Sequence, residues 1–246
     1  MAAPDSILEL VERFDRDKAY YKSGVYSEAQ VRLDFIDPFF EALGWDIRNE
    51  EGVPAAARDV IVEYSMKIGA ATKAPDYLFR QGQQNKFFVE AKRPSVNVRE
   101  DINPAFQLRS YAWTDGMPLS ILTDFEELAV YDCRVVPNKG DKAAVARTLY
   151  IPYTEYAARW GEIVELFSWE AVRDGSLDKF AQEQRAPKGS MPLDAAFLKE
   201  IEGWREVLAR NIAIWNPVLT QRGLNYAIQM TIDRIIFLRI SEDRGI

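Results

Sequence analysis

The chain has 246 residues, a formal net charge of −7 and the balance of a folded globular protein, with 48% apolar and 28% charged residues. It contains no histidine and one cysteine, Cys133, which excludes serine–histidine triads, cysteine–histidine dyads, histidine-ligated zinc and four-cysteine metal sites. Because one cysteine cannot form an intramolecular disulfide, we expect a reducing compartment.

The N-terminal part of the chain predicts two helices followed by strands. The first helix is predicted over 6–19 and the second over 27–43. The second begins with Ser27 as N-cap and Gln30 in the capping-box position, and Pro38 is expected to kink or restart it. Segments rich in aromatic and β-branched residues predict strands at 58–65, 77–80 and 86–91.

The rest of the chain predicts a helix, further strands and then only helices. The helix is expected over 101–114, and the strands at 119–124, 127–135 and 146–151. This order predicts an α/β fold with a mixed central sheet flanked by helices, followed by a C-terminal all-helical segment. We divide the chain into a first domain (1–152), a helical extension and linker (153–193, with the linker at 181–194), and a helical connector (194–246).

The hydropathy pattern contains no membrane segment. No apolar run reaches the roughly 18 residues needed to cross a bilayer, and no signal peptide is recognisable, so we expect a cytoplasmic protein. The last helix carries a broad apolar stripe that needs a partner. We therefore expect the chain to be the front part of a longer protein.

The charge is unevenly distributed. Residues 58–110 contain nine basic and six acidic side chains, whereas the remaining residues are strongly acidic. An overall surplus of acid argues mildly against a nucleic-acid partner, because phosphate binding needs local positive potential. The basic segment supplies some of that potential, and it also contains the motif that predicts chemistry.

Two carboxylates are predicted to face each other across a hairpin. If its loop is centred on Gln83, then Arg80 pairs with Lys86 and Asp76 pairs with Glu90, with Cβ atoms about 4.5–5.5 Å apart. Two such charges repel each other unless a cation lies between them. Mg²⁺ suits this arrangement, because it binds one or two protein carboxylates and keeps water ligands.

Lys92 completes a set suited to phosphodiester hydrolysis. It lies two residues beyond Glu90 and so projects from the same face of the strand. A metal would lower the pKa of a bound water, while Lys92 would orient or deprotonate that water and stabilise phosphoryl charge. The spacing leaves a second interpretation equally open, a surface hairpin with solvated charges.

Glu28 lies in the middle of an apolar helical stripe. That stripe is formed by Val31, Phe35, Phe39 and Leu43. A carboxylate in this position needs a cation. Glu28 is therefore expected either to pair with Arg32 or Lys92, or to reach the metal site.

Gln107 and Tyr111 lie one turn apart on the 101–114 helix. With Asn103 and Ser110 they form a polar face opposite the apolar residues, which are Ile102, Ala105, Phe106, Leu108, Ala112 and Trp113. This face is a candidate to line a DNA groove beside the metal. An ordinary solvated helix face is an equally good interpretation of the spacing.

The ordered set of these motifs resembles the PD-(D/E)xK nuclease superfamily over about residues 25–135. The residues that carry the resemblance are Glu28, Pro75-Asp76, Glu90-Ala91-Lys92 and the segment 107–111. More closely, it resembles the nuclease domains of type I restriction subunits and of type II enzymes that carry nuclease and methyltransferase in one chain. Those domains add a Q-x-x-x-Y motif after the core. The closing segment 232–246 looks like the helical connector before the methyltransferase.

The resemblance implies a restriction-endonuclease-like fold and a role for each matched residue. Asp76 and Glu90, with the Ala91 carbonyl, would bind Mg²⁺, and Lys92 would be catalytic. Glu28 would be an accessory acid. The other two matched residues, Gln107 and Tyr111, would support the site or contact DNA, and we expect the same of Arg93.

The leading hypothesis is therefore a Mg²⁺-dependent DNA endonuclease domain of a restriction–modification enzyme, with Mn²⁺ as a substitute ion. The expected partners are double-stranded DNA and methyltransferase and target-recognition domains in the same longer chain or complex. S-adenosylmethionine or ATP would be needed only by further domains, since the chain contains neither a P-loop nor a methyltransferase segment. Two alternatives remain, a non-catalytic nuclease-like module that docks DNA or a subunit, and a repair or recombination nuclease.

Overall fold

The computed structural model describes residues 2–64, 66–68, 71–73, 75–82, 84–183 and 193–243. Contacts divide the chain into two compact units, Met1–Ser190 and Met191–Ile246. The predicted hairpin centre at Gln83 and most of the predicted linker at 181–194 lie outside the described residues.

The first unit is built on a mixed six-stranded sheet in the order β1-β4-β5-β6-β7-β8. Its neighbouring strands are antiparallel except for the parallel pair β5–β6. The strands are β1 (Val60–Val62), β2 (Met66–Ile68), β3 (Ala71–Lys73), β4 (Tyr77–Gln81), β5 (Gln84–Ala91), β6 (Leu119–Thr123), β7 (Glu127–Asp132) and β8 (Arg147–Pro152). The predicted mixed sheet is confirmed.

Helices flank this sheet, as the sequence predicted. They are α1 (Asp5–Arg16), α2 (Lys18–Tyr21), α3 (Glu28–Val31), α4 (Asp37–Glu41), α5 (Ile102–Thr114), α6 (Tyr156–Phe167), α7 (Trp169–Arg173) and α8 (Ser176–Glu183). Short 3₁₀ turns occur at Ala55–Ala57 and Tyr153–Glu155.

Both faces of the sheet are buried. Along β4, Tyr77 and Phe79 belong to one hydrophobic cluster, while Leu78 between them belongs to the other. The larger cluster includes residues of α1, α4 and α6, and the smaller one includes residues of α5. Two-sided burial explains why the central strands are almost continuously apolar rather than alternating.

The helix predicted over 27–43 is one helical run that contains a π turn. Ser27 and Gln30 form the predicted capping box, and α3 passes through a π turn at Arg32–Ile36 into α4. Pro38 has no N–H and would crowd the carbonyl four residues earlier, that of Asp34. The Asp34 carbonyl instead accepts a hydrogen bond from the Arg13 guanidinium. The π turn thus accommodates the proline without breaking the helix.

The predicted hairpin register is correct only near the site. Tyr77 pairs with Val89 and Leu78 with Phe88, as predicted. A bulge after Phe79 makes Arg80 pair with Asn85, so the predicted pairing of Arg80 with Lys86 is wrong. Sequence spacing does not reveal a bulge, because the register is predicted by assuming that every residue of one strand faces one residue of the other.

Strands β2 and β3 were not predicted. They lie between β1 and β4 in the sequence and form a separate two-stranded ribbon. Their pairs, from Met66↔Lys73 to Ile68↔Ala71, follow the same register as Val62↔Tyr77 in the main sheet. The β2–β3 ribbon therefore has the same register as the β1–β4 ladder.

The helices between 156 and 183 share the core of the sheet. Trp160 and Phe167 of α6 and Leu177 of α8 are buried in the larger hydrophobic cluster. The contact division after Ser190 places these helices in the same unit as the sheet. The predicted functional division at 152 and 193 stays a prediction.

The second unit contains two long helices, α9 (Leu193–Trp215) and α10 (Gln221–Asp243), which confirms the predicted helical C-terminal segment. Ile228 and Ile232 are its buried residues among those described, while Trp215 and Phe237 are exposed. In the described part of the chain, no helix combines the length and the apolar character that a bilayer crossing requires.

Candidate metal centre

The two predicted metal-binding carboxylates meet at one edge of the sheet. Asp76 directly precedes β4, and Glu90 is the next-to-last residue of β5. The pairing of Tyr77 with Val89 brings the two positions side by side. The Ala91 backbone N–H donates a hydrogen bond to Asp76 Oδ2 at 2.8 Å, which fixes the orientation of that carboxylate.

Lys92 lies beside these carboxylates, as strand alternation predicted. Its Nζ is 2.7 Å from Glu90 Oε1 and 3.6 Å from Glu28 Oε2. Its backbone N–H donates to the Thr123 carbonyl at 2.9 Å, which ties the end of β5 to β6. The parallel β5–β6 pairing therefore holds the lysine at the edge where the acids meet.

Glu90 has one saturated and one unpartnered oxygen. Its side chain is 3% exposed. Oε1 accepts hydrogen bonds from Lys92 Nζ and from Gln107 Nε2, the latter at 2.6 Å. Oε2 is buried and accepts no hydrogen bond from the described residues. A buried carboxylate oxygen without a partner is costly, and a metal ion is a natural partner for it.

Burial dominates the electrostatics of the acids. It raises the pKa of Glu90 to about 7, with the charge of Asp76 adding to the effect and Lys92 opposing it. Burial also raises the pKa of Asp76, against the hydrogen bond from Ala91. The site therefore holds its negative charges at a cost that a divalent cation would relieve.

Lys92 keeps its proton in this environment. Burial lowers the pKa of its ammonium, but the combined attraction of Glu90, Glu28 and Asp76 exceeds that effect and leaves the pKa raised. At neutral pH the metal-free site therefore contains a cationic lysine rather than a neutral base.

Glu28 pairs with Lys92 rather than with Arg32. Of the partners weighed from the sequence, Lys92 lies 3.6 Å from its Oε2, whereas Arg32 pairs with Asp76 and Glu63. Burial raises the pKa of Glu28, and Lys92 opposes the shift. The structure brings Glu28 to the site through Lys92, and its role as an accessory acid stays a prediction.

The polar face predicted on α5 is buried at one end and exposed at the other. Tyr111 is 4% exposed and is hydrogen-bonded to Gln107, whereas Asn103 is exposed. Ser110 donates a hydrogen bond to the Phe106 carbonyl within its own helix. Helix position predicts that Gln107 and Tyr111 share a face, but not that Tyr111 is buried. Gln107 contacts Glu90, and a role of this face in contacting DNA stays a prediction.

The exposure of three further side chains in and near α5 differs from residue to residue. Ile102, expected in the apolar face, is 42% exposed. Arg109 is 1% exposed and pairs with Asp141 at 2.8 Å. Arg93, directly after Lys92, is exposed, which leaves it accessible to a polyanion.

Two residues of the site had no clear sequence signal. The sequence indicates Arg32 only as a possible partner of Glu28, but its Nη1 donates to Asp76 Oδ1 at 3.1 Å. Glu63 accepts from Arg32 Nη2 at 3.2 Å, and its backbone has a φ of 55°, in the left-handed region that most residues avoid. The Glu63 N–H also donates to the Asp76 carbonyl at 2.8 Å. Strained backbone of this kind tends to occur at functional sites.

Within the described residues, no three acidic or cysteine side chains gather into a closed metal cage. The site instead offers two carboxylates, with a lysine between Glu90 and Glu28. Such an open set suits Mg²⁺, which retains several water ligands, better than an ion that needs a full protein cage.

Sequence comparison relates the chain to one characterised restriction–modification protein. It is 38% identical over 248 aligned residues to the type II restriction enzyme and methyltransferase RM.Eco57I of Escherichia coli. The alignment covers 100% of this chain and 25% of that relative, so the chain spans about a quarter of the relative's length. No family model matches the chain. No solved structure matches it either.

Proposed function

We propose that the chain is the Mg²⁺-dependent DNA endonuclease domain of a restriction–modification enzyme. The observation that carries the proposal is that Asp76, Glu90 and Lys92 lie together at one edge of the sheet, where Glu90 Oε2 is buried and has no partner among the described residues. The likeness to a restriction enzyme and methyltransferase supports the biological setting.

Asp76 and Glu90 would hold the metal, with the Ala91 carbonyl as the further ligand that the family resemblance implies. Glu90 Oε2 is the oxygen best suited to the ion, since Oε1 already accepts from Lys92 and Gln107. Bound Mg²⁺ would lower the pKa of a water ligand and neutralise charge on the phosphoryl oxygens.

The residues of the chain would orient and stabilise the reacting groups. Lys92, as a cation, would stabilise the negative charge that develops on the phosphate rather than remove a proton from water. Gln107 would hold Glu90 Oε1 in place through its 2.6 Å hydrogen bond. Such partners of ligands typically contribute 10–100-fold to metal affinity or activity.

Double-stranded DNA is the proposed substrate, and exposed Arg93 is a candidate to contact its backbone. Methyltransferase and target-recognition segments are proposed partners in the full-length protein, because the relative is about four times as long as this chain and is a restriction enzyme and methyltransferase. Any use of S-adenosylmethionine or ATP would belong to those segments. A cytoplasmic location stays a prediction.

A metal titration tests this proposal. Saturating Mn²⁺ or Mg²⁺ should raise the melting temperature of the wild-type protein by about 5 °C or more, because an ion that binds only the folded state stabilises it. Glu90→Gln removes the charged ligand and should abolish the shift. Asp132→Asn changes a buried carboxylate at the end of β7 and should keep the shift, since Asp132 pairs with Leu119, at the end of β6 that lies away from the site.

Equal melting shifts in the wild type and in Glu90→Gln would remove Glu90 from the metal site. A metal-independent protein that binds DNA without cutting it would favour the non-catalytic docking module.

A further inference from the structure

Arg32 takes the position beside Asp76 where a metal would be expected. Its Nη1 lies 3.1 Å from Asp76 Oδ1, and its Nη2 lies 3.2 Å from Glu63 Oε1. The Arg32 side chain is 18% exposed, and its guanidinium lies 6.0 Å from the centre of the Tyr77 ring. A planar guanidinium bound to two acids at once is a well-ordered cation rather than a loose surface charge.

We propose that the Arg32 guanidinium occupies Asp76 in the metal-free protein and thereby keeps the metal affinity low until DNA is bound. This inference rests on the proposed metal site and concerns how that site is loaded. It assigns Arg32 a role that neither the motif pattern nor the relative's name contains.

The two oxygens of Asp76 explain why Arg32 and a metal would compete. Oδ2 accepts the Ala91 N–H at 2.8 Å, so Oδ1 is the oxygen that an ion can bind without competing with that backbone bond. Arg32 donates to that same Oδ1. An ion that binds there must displace the guanidinium or approach it closely. Displacement breaks the ion pair between Arg32 and Asp76, and close approach brings two positive charges together, so either event weakens metal binding.

The orientation of Asp76 does not depend on Arg32. The Ala91 N–H is a backbone donor at the end of β5, and the β4–β5 ladder fixes it relative to Asp76. Removing the guanidinium should therefore leave the carboxylate in place while removing a competing positive charge.

The Arg32 guanidinium can be reached from solvent on the side of Glu63. Its second partner, Glu63, has a side chain that is 69% exposed, so this end of the guanidinium faces solvent. A DNA phosphate can bind a guanidinium through two hydrogen bonds and compete with both carboxylates. DNA would then draw Arg32 from Asp76 and tighten metal binding, and by thermodynamic reciprocity the metal would tighten DNA binding.

Calorimetric titration with Mn²⁺ in the absence of DNA tests the inference. We expect Arg32→Gln to lower the Mn²⁺ dissociation constant by about tenfold or more relative to the wild type, as expected when a nearby like charge is removed. Arg134→Gln breaks a comparable pair, since Arg134 is 23% exposed and lies 2.7 Å from Asp132, at the far end of the sheet. That control should leave the dissociation constant unchanged.

A non-cleavable duplex should tighten Mn²⁺ binding to the wild type but add little to Arg32→Gln. A purely structural role for Arg32 predicts weaker or unchanged Mn²⁺ binding in the variant when DNA is absent. That result would overturn the inference. If Arg32→Gln does not fold, Arg32→Met keeps the apolar stem of the side chain without its charge and carries the same expectation.

The titration separates this inference from the proposed function. Mn²⁺ binding to the wild type that is lost in Glu90→Gln and unchanged in Arg32→Gln would overturn only the role of Arg32. No Mn²⁺ binding in the wild type or in Arg32→Gln would overturn both.

Discussion

Replacing Lys92 by alanine is expected to slow metal-dependent cleavage of duplex DNA by at least about 10²–10³-fold, the usual loss when one preorganised donor to transition-state charge is removed. Lys92 is the cation held 2.7 Å from Glu90 and 3.6 Å from Glu28, at the edge where the proposed ion would bind. The loss should appear in kcat at saturating Mg²⁺, since the metal ligands remain.

Lys86→Ala provides the matched control. Lys86 is on the same strand, but at its other end, where its Nζ donates to Gln84. We expect wild-type cleavage from this variant. Equal cleavage by Lys92→Ala and the wild type, with both proteins folded and bound to Mn²⁺, would remove Lys92 from the catalytic machinery.

The second large effect is on the stability of the metal-free protein. Burial raises the pKa of Glu90 from its ordinary 4.5 to about 7, so the folded state binds this proton more tightly than the unfolded state does. The resulting stability is fully present below about 4.5 and is lost as the pH rises through about 7. Glu90→Gln has no such proton and should not lose this stability.

The expected result is therefore a difference that grows with pH. Relative to the wild type, Glu90→Gln should gain roughly 1–3 kcal/mol of unfolding free energy between pH 5 and pH 8. Urea denaturation in EDTA at the two pH values measures it, and titrating groups that do not interact with Glu90 cancel in the comparison. A difference that does not change with pH would contradict a Glu90 pKa that is raised to about 7 in the folded state.

Added Mg²⁺ at pH 8 should make the wild type more stable than Glu90→Gln. The ion would stabilise the ionised wild-type site and leave Glu90→Gln unaffected. The same buried charge that destabilises the metal-free protein would thus favour metal binding.

The geometry of the central motif could be predicted because it depends on local rules. Alternation along β5 places Glu90 and Lys92 on one face, and an antiparallel ladder places Asp76 beside Glu90. Neither inference needs knowledge of distant parts of the chain. The capping box at Ser27 and the buried stripe around Glu28 followed from equally local spacing.

The remaining features depend on packing between distant segments. Tyr111 is buried because α5 packs on β5 and β6, which the polarity of a single helix does not reveal. Arg32 reaches Asp76 across 44 positions of sequence, and Glu63 meets it through a strained backbone. These contacts are set by the fold, whereas the motif only shows which acids need a cation.

Anomalous diffraction from crystals soaked in Mn²⁺ would locate the ion itself. We expect one strong peak roughly 2.0–2.3 Å from both Glu90 Oε2 and Asp76 Oδ1, the usual range for small divalent ions on carboxylate oxygens. We also expect the Arg32 guanidinium to have moved away from Asp76. Peaks elsewhere, with Arg32 still bound to Asp76 and Glu90 Oε2 still unpartnered, would rule out a metal ion held by Asp76 and Glu90.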